Sequence, residues 1–209
     1  MPAPLFALPA PSVALRPALA VLLSVTALAA VHPTAWAQAA AKPPAATNAS
    51  CPALLNHTFA RLQDEKDQSL CQYAGKVLLV VNTASFCGYT GQYEGLEALH
   101  ARYKDKGLVV LGFPSNDFNQ EGGDNKQIAE FCANTFNVKF PMFAKSSVKG
   151  AQASPFYRQL ADRTGQAPRW NFHKYLIGRD GQVIDQYVSN VGPDDRKLVA
   201  AIEKQLAAR

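Results

Sequence analysis

From Val77 to Asn82 the chain runs Val-Leu-Leu-Val-Val-Asn, an almost unbroken apolar stretch. Such a run predicts a strand covered on both faces, in the middle of a sheet. The period then changes. Leu96, Leu99 and Tyr103 recur at helical spacing between Gln92 and Lys104, and Gly107 ends that segment. Leu108 to Phe113 is a second β-run, so Val77 to Phe113 reads as a strand, a helix and a parallel strand. Upstream, Thr58 to Leu62 predicts a short strand, with Gln63 to Gln68 as its polar turn. Downstream, a polar loop from Pro114 to Asp124 leads to a helix carrying Ile128, Phe131 and Cys132 on one face, which sets Cys132 toward the core.

Phe140 and Met142-Phe143 predict a short edge element around Pro141, and Pro155 to Ala161 a helix with Phe156 and Leu160 inward. Phe172 to Ile177 and Val183 to Val188 flank Gly178-Arg179-Asp180-Gly181, whose Asp-Gly step predicts a hairpin. A final helix is expected after Gly192, with Pro193 in its first turn, Asp194 and Asp195 near its positive end, and Leu198, Ile202 and Leu206 as its apolar stripe. Two parallel strands plus a hairpin, covered by helices on both faces, make an α/β fold with a central mixed sheet.

The first fifth of the 209 residues does not share this pattern. Arg16 precedes a small-residue and leucine-rich stretch from Pro17 to Val31, and Ala35-Trp36-Ala37 offers an A-x-A cleavage signal. Residues 1–37 are therefore expected to be a signal peptide, residues 38–55 a flexible Pro- and Ala-rich leader, and residues 56–209 the folded domain. Export to the periplasm or out of the cell follows, without stable membrane insertion. The net charge of +5 is scattered among acids with no Lys/Arg block, which disfavours nucleic-acid binding. The four cysteines, Cys51, Cys71, Cys87 and Cys132, form no C-x-x-C pair and stand at no ligand spacing to His57, His100 or His173. No metal site or cofactor is expected.

Chemistry points first to Cys87, delivered by an apolar strand to the place where a helix is expected to begin. Free backbone N–H groups there favour a thiolate, although a half-buried core thiol fits the local pattern as well.

Several ordered stretches carry a family resemblance: Gly75 to Asn82, Ala84-Ser85-Phe86-Cys87-Gly88-Tyr89-Thr90, Gln92-Tyr93-Glu94-Gly95-Leu96, Gly107 to Pro114, Phe140-Pro141-Met142-Phe143 and Trp170-Asn171-Phe172. From about Phe59 to Leu206 the chain resembles the glutathione peroxidase family, of thioredoxin-like fold, in its cysteine-containing rather than selenocysteine-containing form. The resemblance implies reduction of hydrogen peroxide or organic hydroperoxides. Cys87 matches the peroxidatic residue, attacking oxygen to give a sulfenic acid, and Trp170 and Asn171 match two hydrogen-bonding partners. At the expected fourth position, Asn116-Asp117-Phe118 puts an aspartate where the family has glutamine. Asp117 would then act as proton acceptor or protonated donor, its alternative being an ordinary loop acid.

Cys132 resembles the resolving cysteine of members that form an internal disulfide, with a packed bystander as its alternative. In that two-cysteine form a thioredoxin-like protein is the expected reductant. Glutathione is the alternative, and an extracytoplasmic peroxide sensor passing oxidation to a partner protein is a further one. Cys51 and Cys71 match no catalytic residue and can pair after export. The shortened Asn119-Gln120-Glu121-Gly122-Gly123 loop resembles that of monomeric members.

Overall fold

The computed structural model describes residues 50–208. The signal-like segment and most of the expected leader therefore lie outside the described residues.

Strand β3 (Val77–Thr83) is the axis of a four-stranded sheet, and all seven of its residues are buried. Its side chains alternate between two cores, as the twofold period of a strand requires. Val77, Leu79 and Val81 enter one core with the apolar faces of α1 (Gln92–Tyr103) and α4 (Arg196–Ala207). Leu78 and Val80 enter the other with Phe156, Tyr157 and Leu160 of α3 (Pro155–Thr164). Each buried aliphatic side chain contributes about 1.5–3 kcal/mol, so a one-residue slip of β3 would invert both cores at once.

Strand β4 (Leu108–Pro114) pairs parallel with β3, from Val77↔Leu108 to Thr83↔Pro114. On the other side, β5 (Lys174–Ile177) pairs antiparallel with β3, and β6 (Val183–Tyr187) antiparallel with β5. The order β4-β3-β5-β6 is the expected mixed sheet, with a crossover and a hairpin. The segment around Pro141 joins β4 only through single bridges, Gly112↔Met142 and Arg61↔Phe143. Gly112 permits this approach, because a Cβ there would collide with the Met142 sulfur.

Three expected boundaries move. The domain begins before residue 56: Leu54 and Leu55 are fully buried, and Cys51 is joined to Cys71. Residues Cys51 to Leu55 are thus part of the packed unit, ahead of a hairpin of β1 (Thr58–Ala60) and β2 (Asp67–Ser69). The last helix begins at Arg196, because Asp195 caps it by accepting from the Lys197 and Leu198 N–H groups, and Pro193 stays outside. Finally, α1 begins at Gln92 rather than at Cys87. Between them runs a series of tight turns, with Thr90 N–H on Cys87 O, Gln92 N–H on Tyr89 O and Tyr93 N–H on Thr90 O.

Candidate active site

Cys87 sits in that turn series, at the carboxyl end of β3, where open α/β sheets present their functional groups. Its side chain is 9% exposed. The backbone is pinned from three directions. Cys87 N–H donates to Thr90 Oγ1, Thr90 Oγ1–H donates to Ala84 O, and Thr90 N–H returns to Cys87 O. The sulfur itself receives the Tyr89 N–H at 3.4 Å. A single aimed backbone donor thus takes the place of the helix terminus expected at this cysteine.

Trp170-Asn171-Phe172 is strapped to the same end of β3. Asn82 Nδ2 donates to Trp170 O at 3.1 Å, Phe172 N–H donates to Asn82 O at 2.6 Å, and Asn82 N–H donates to His173 O. Phe172 adopts φ 63°, a left-handed conformation costly for a bulky residue. Its ring is fully buried against Tyr93, and that packing together with the Asn82 hydrogen bonds holds it there. The strain turns the chain so that Asn171 is buried while Trp170 remains 40% exposed beside Phe118. Trp170 and Tyr89 line one cavity of about 350 Å³, with Arg169, Val188, Ser189 and Asn190.

The remaining polar partner is Gln120, not Asp117. Asn171 Nδ2 donates to Gln120 Oε1 at 3.0 Å, while Gln120 O accepts the Phe86 N–H at 3.0 Å, next to Cys87. The Gln120 Nε2 hydrogens stay available for another acceptor. Asp117 instead anchors a second loop. Its carboxylate accepts from Ser147 Oγ at 2.8 Å and from the N–H groups of Val148 and Lys149 at 2.6 and 3.0 Å. Three donors from one segment hold this carboxylate toward the second loop.

Below the site lie ionisable groups without charge partners. Lys174 is fully buried, its Nζ donating to Gln92 Oε1 and Phe172 O, and burial pulls its pKa down to about 7. His173 is buried with both ring nitrogens unpartnered, and burial lowers it to about 4. Cys132, on α2 (Asn125–Phe136), is a free thiol, 2% exposed, in the same core cluster as Cys87. Burial pushes it up to about 11, against a smaller lowering from the Tyr93 hydroxyl. Among the described residues, no three His, Cys, Asp or Glu side chains gather as a metal site.

The profile of the glutathione peroxidase family matches residues 55–161, about half the chain. The chain belongs to the glutathione peroxidase family. It is 46% identical over 143 residues to the glutathione peroxidase homolog BsaA of Halalkalibacterium halodurans, covering 66% of this chain and 91% of that one. It is 44% identical over 148 residues to the glutathione peroxidase-like peroxiredoxin gpx1 of Schizosaccharomyces pombe, with shares of 67% and 94%. The crystal structure of T. cruzi GPX1 superposes with a TM-score of 0.59 at 30% identity, covering 74% of this chain and 97% of that one. This family member is a cysteine-type thiol peroxidase of thioredoxin-like fold.

Within that family frame, Gln120 is the residue that sequence reasoning passes over. The signal was present, since Gln120-Glu121 keeps the Gln-Glu step of the family's Gly-x-Gln-Glu-Pro-Gly pattern one residue closer to Phe118. Asn82 is the other omission. Its side chain and backbone together hold the peroxidase's Trp-Asn pair in place.

Proposed function

We propose that this peroxidase works by a two-cysteine cycle, in which Cys87 is the peroxidatic residue, Trp170, Asn171 and Gln120 supply its polar surroundings, and Cys132 resolves the oxidised form. The Cys87 thiolate attacks the distal peroxide oxygen. An S–O bond forms, the O–O bond breaks, and the departing alkoxide or hydroxide takes a proton and leaves as alcohol or water. Neutral donors suit this step, because they meet charge developing on oxygen without a fixed counter-charge. Cys132 then displaces hydroxide from the sulfenic acid, and a thioredoxin-like protein reduces the disulfide.

The observation that carries the reading is the linked set of Tyr89 N–H on Cys87 Sγ, Phe86 N–H on Gln120 O and Asn171 Nδ2–H on Gln120 Oε1, with a second free thiol in the same core. The chain acts outside the cytoplasm in this reading, with a locally supplied reductant. The Cys51–Cys71 disulfide supports that placement, since such bonds persist in oxidising compartments. The enzyme works as a monomer. A second reading has glutathione resolve Cys87, and Arg169 in the cavity beside Trp170 is the cation that would meet a tripeptide carboxylate.

The test treats reduced protein with one equivalent of peroxide and maps disulfides by mass spectrometry. A Cys87–Cys132 link is expected, with turnover by a thioredoxin system abolished in Cys132→Ser. Persistent sulfenic acid on Cys87, with glutathione-driven turnover retained in Cys132→Ser, would favour the second reading.

A further inference from the structure

Glu121 is the most unusual acid in the protein. Its side chain is fully buried, and neither carboxylate oxygen has a hydrogen-bond partner. Asp117, four residues earlier, shows what a structural carboxylate looks like here, with three donors collected on it. Glu121 collects no such set, Ser85 being the one neighbour close enough to act on it as a donor, and its place in the loop is secured by its backbone, whose N–H donates to Asn116 Oδ1 at 3.0 Å. Keeping a carboxyl group short of partners in a core is costly. Methionine would fill the space more cheaply.

What surrounds it points to proton transfer. Ser85, in the turn that bears Cys87, is its nearest polar neighbour. Gly122, next to the acid, and Ser85 and Phe86 of the Cys87 turn line one cavity with Ile128 and Phe131 of α2, the helix that carries Cys132. The charged neighbour is Lys145, whose exposed ammonium donates to Gly123 O. Thr83 Oγ1, Ser85 Oγ and Tyr93 Oη are, like the carboxylate, buried without settled hydrogen-bond partners. The loop that carries the acid thus lies between the Cys87 turn and the helix of Cys132. Burial raises the Glu121 pKa, which favours its protonated form.

We propose that Glu121 is the acid–base residue of the resolving step, giving a proton to the hydroxide that leaves Cys87 and taking the proton that Cys132 gives up. The proposal rests on the reading of Cys132 as the resolving cysteine. In this step an S–S bond forms between the two Sγ atoms and the S–O bond of the sulfenic acid breaks. The hydroxide departs with the bonding electrons and is protonated by Glu121 to water. The thiol proton of Cys132 then restores the acid. The sum is thiol plus sulfenic acid going to disulfide plus water, with Glu121 unchanged. Without such a group a thiol with a pKa near 11 is almost wholly un-ionised at neutral pH, and hydroxide is a poor leaving group.

The prediction is a pH signature. A relay that starts and ends protonated consumes no net proton, so disulfide formation should vary less than about threefold from pH 6 to 8. An unassisted thiolate attack rises about tenfold per pH unit below the thiol pKa. Reduced protein is mixed with one equivalent of hydrogen peroxide. Cys87 oxidation is followed by tryptophan fluorescence, and the Cys87–Cys132 link by acid quench, alkylation and mass spectrometry. Glu121→Gln should oxidise Cys87 at the parent rate, form the disulfide at least tenfold more slowly at pH 6, and climb about a hundredfold by pH 8. Glu121→Asp should restore the shallow profile. A steep profile in the parent, or a shallow one in Glu121→Gln, overturns the proposal and leaves the two-cysteine cycle standing. If no Cys87–Cys132 link forms in the parent, the cycle and the proposal fall together. The parent profile decides by itself should Glu121→Gln not fold.

Discussion

Asp117 and Gln120 are three residues apart in one loop, and the structure assigns them opposite consequences when removed. Asp117→Ala deletes the acceptor for Ser147 Oγ and for the Val148 and Lys149 N–H groups. Hydrogen bonds to a charged group contribute about 1.5–3 kcal/mol each. Asp117 is partly exposed, so water recovers part of each loss and the total should be about 2–4 kcal/mol. For a domain of this size that lowers Tm by roughly 6–12 °C. The rate of Cys87 oxidation should change less than about threefold, since no donor near the sulfur is lost. Gln120→Ala should give the reverse. It loses one neutral hydrogen bond, to Asn171, for about 1 kcal/mol, while removal of a donor aimed at developing oxygen charge costs about a hundredfold in rate. Both variants are compared by urea denaturation and by stopped-flow oxidation with hydrogen peroxide. An Asp117→Ala protein of parental stability that has lost a hundredfold in rate, beside an active Gln120→Ala protein, would refute the assignment.

Two further outcomes follow from the fold. Cys51→Ser with Cys71→Ser opens a loop closed across a sequence separation of 20, which should cost about 3 kcal/mol in calorimetric or denaturant unfolding. His173 is held near pKa 4 against an ordinary 6.5. Its contribution is fully present above pH 6.5 and is lost as pH falls through 4, to about 3 kcal/mol; His173→Phe should flatten the stability–pH curve over that window, as read by urea midpoints.

Much of the fold is legible locally. The strands β3 and β4 announce themselves by continuous apolar sequence, α1 by Leu96, Leu99 and Tyr103, and the β5–β6 hairpin by Asp180-Gly181. These are properties of neighbouring residues, which is why reading along the chain recovers them. The misplacements share another cause. Leu54 and Leu55 are too short a pair to show a period, and their burial in the α3-side core belongs to the same segment as the disulfide to Cys71. Asp194 and Asp195 look alike as caps, and only backbone geometry selects Asp195. Within the site, Cys87, Trp170 and Asn171 could be named from motifs. The exchange of Asp117 for Gln120 could not be resolved by motif alone, because a loop of mixed amides and acids has no period. There Asn119, at φ 57°, and the Asn116 side chain on Glu121 N–H decide which side chain turns toward Asn171.

The two cysteines are held very differently, and the difference fits the order of their chemistry. Around Cys87 everything is tied: Thr90 pins the turn, Asn82 straps down Trp170-Asn171, and Phe172 is locked in a strained conformation by packing. Such preorganisation serves a bimolecular attack whose geometry must be ready when peroxide arrives. Cys132 rides on α2, which buries only Ile128 and Cys132 fully, whereas α1 buries four residues and α3 three. Exposing those two side chains and undoing the Asp124–Gln127 capping box costs on the order of 4–6 kcal/mol. That corresponds to an open fraction of about one in a thousand to one in thirty thousand. Local unfolding of this kind occurs in microseconds to seconds, so in the proposed cycle Cys132 would reach a sulfenic acid on Cys87 through brief openings of α2. In the proposed cycle the helix is stable enough to keep Cys132 out of the first reaction. It is weak enough to deliver that thiol to the second.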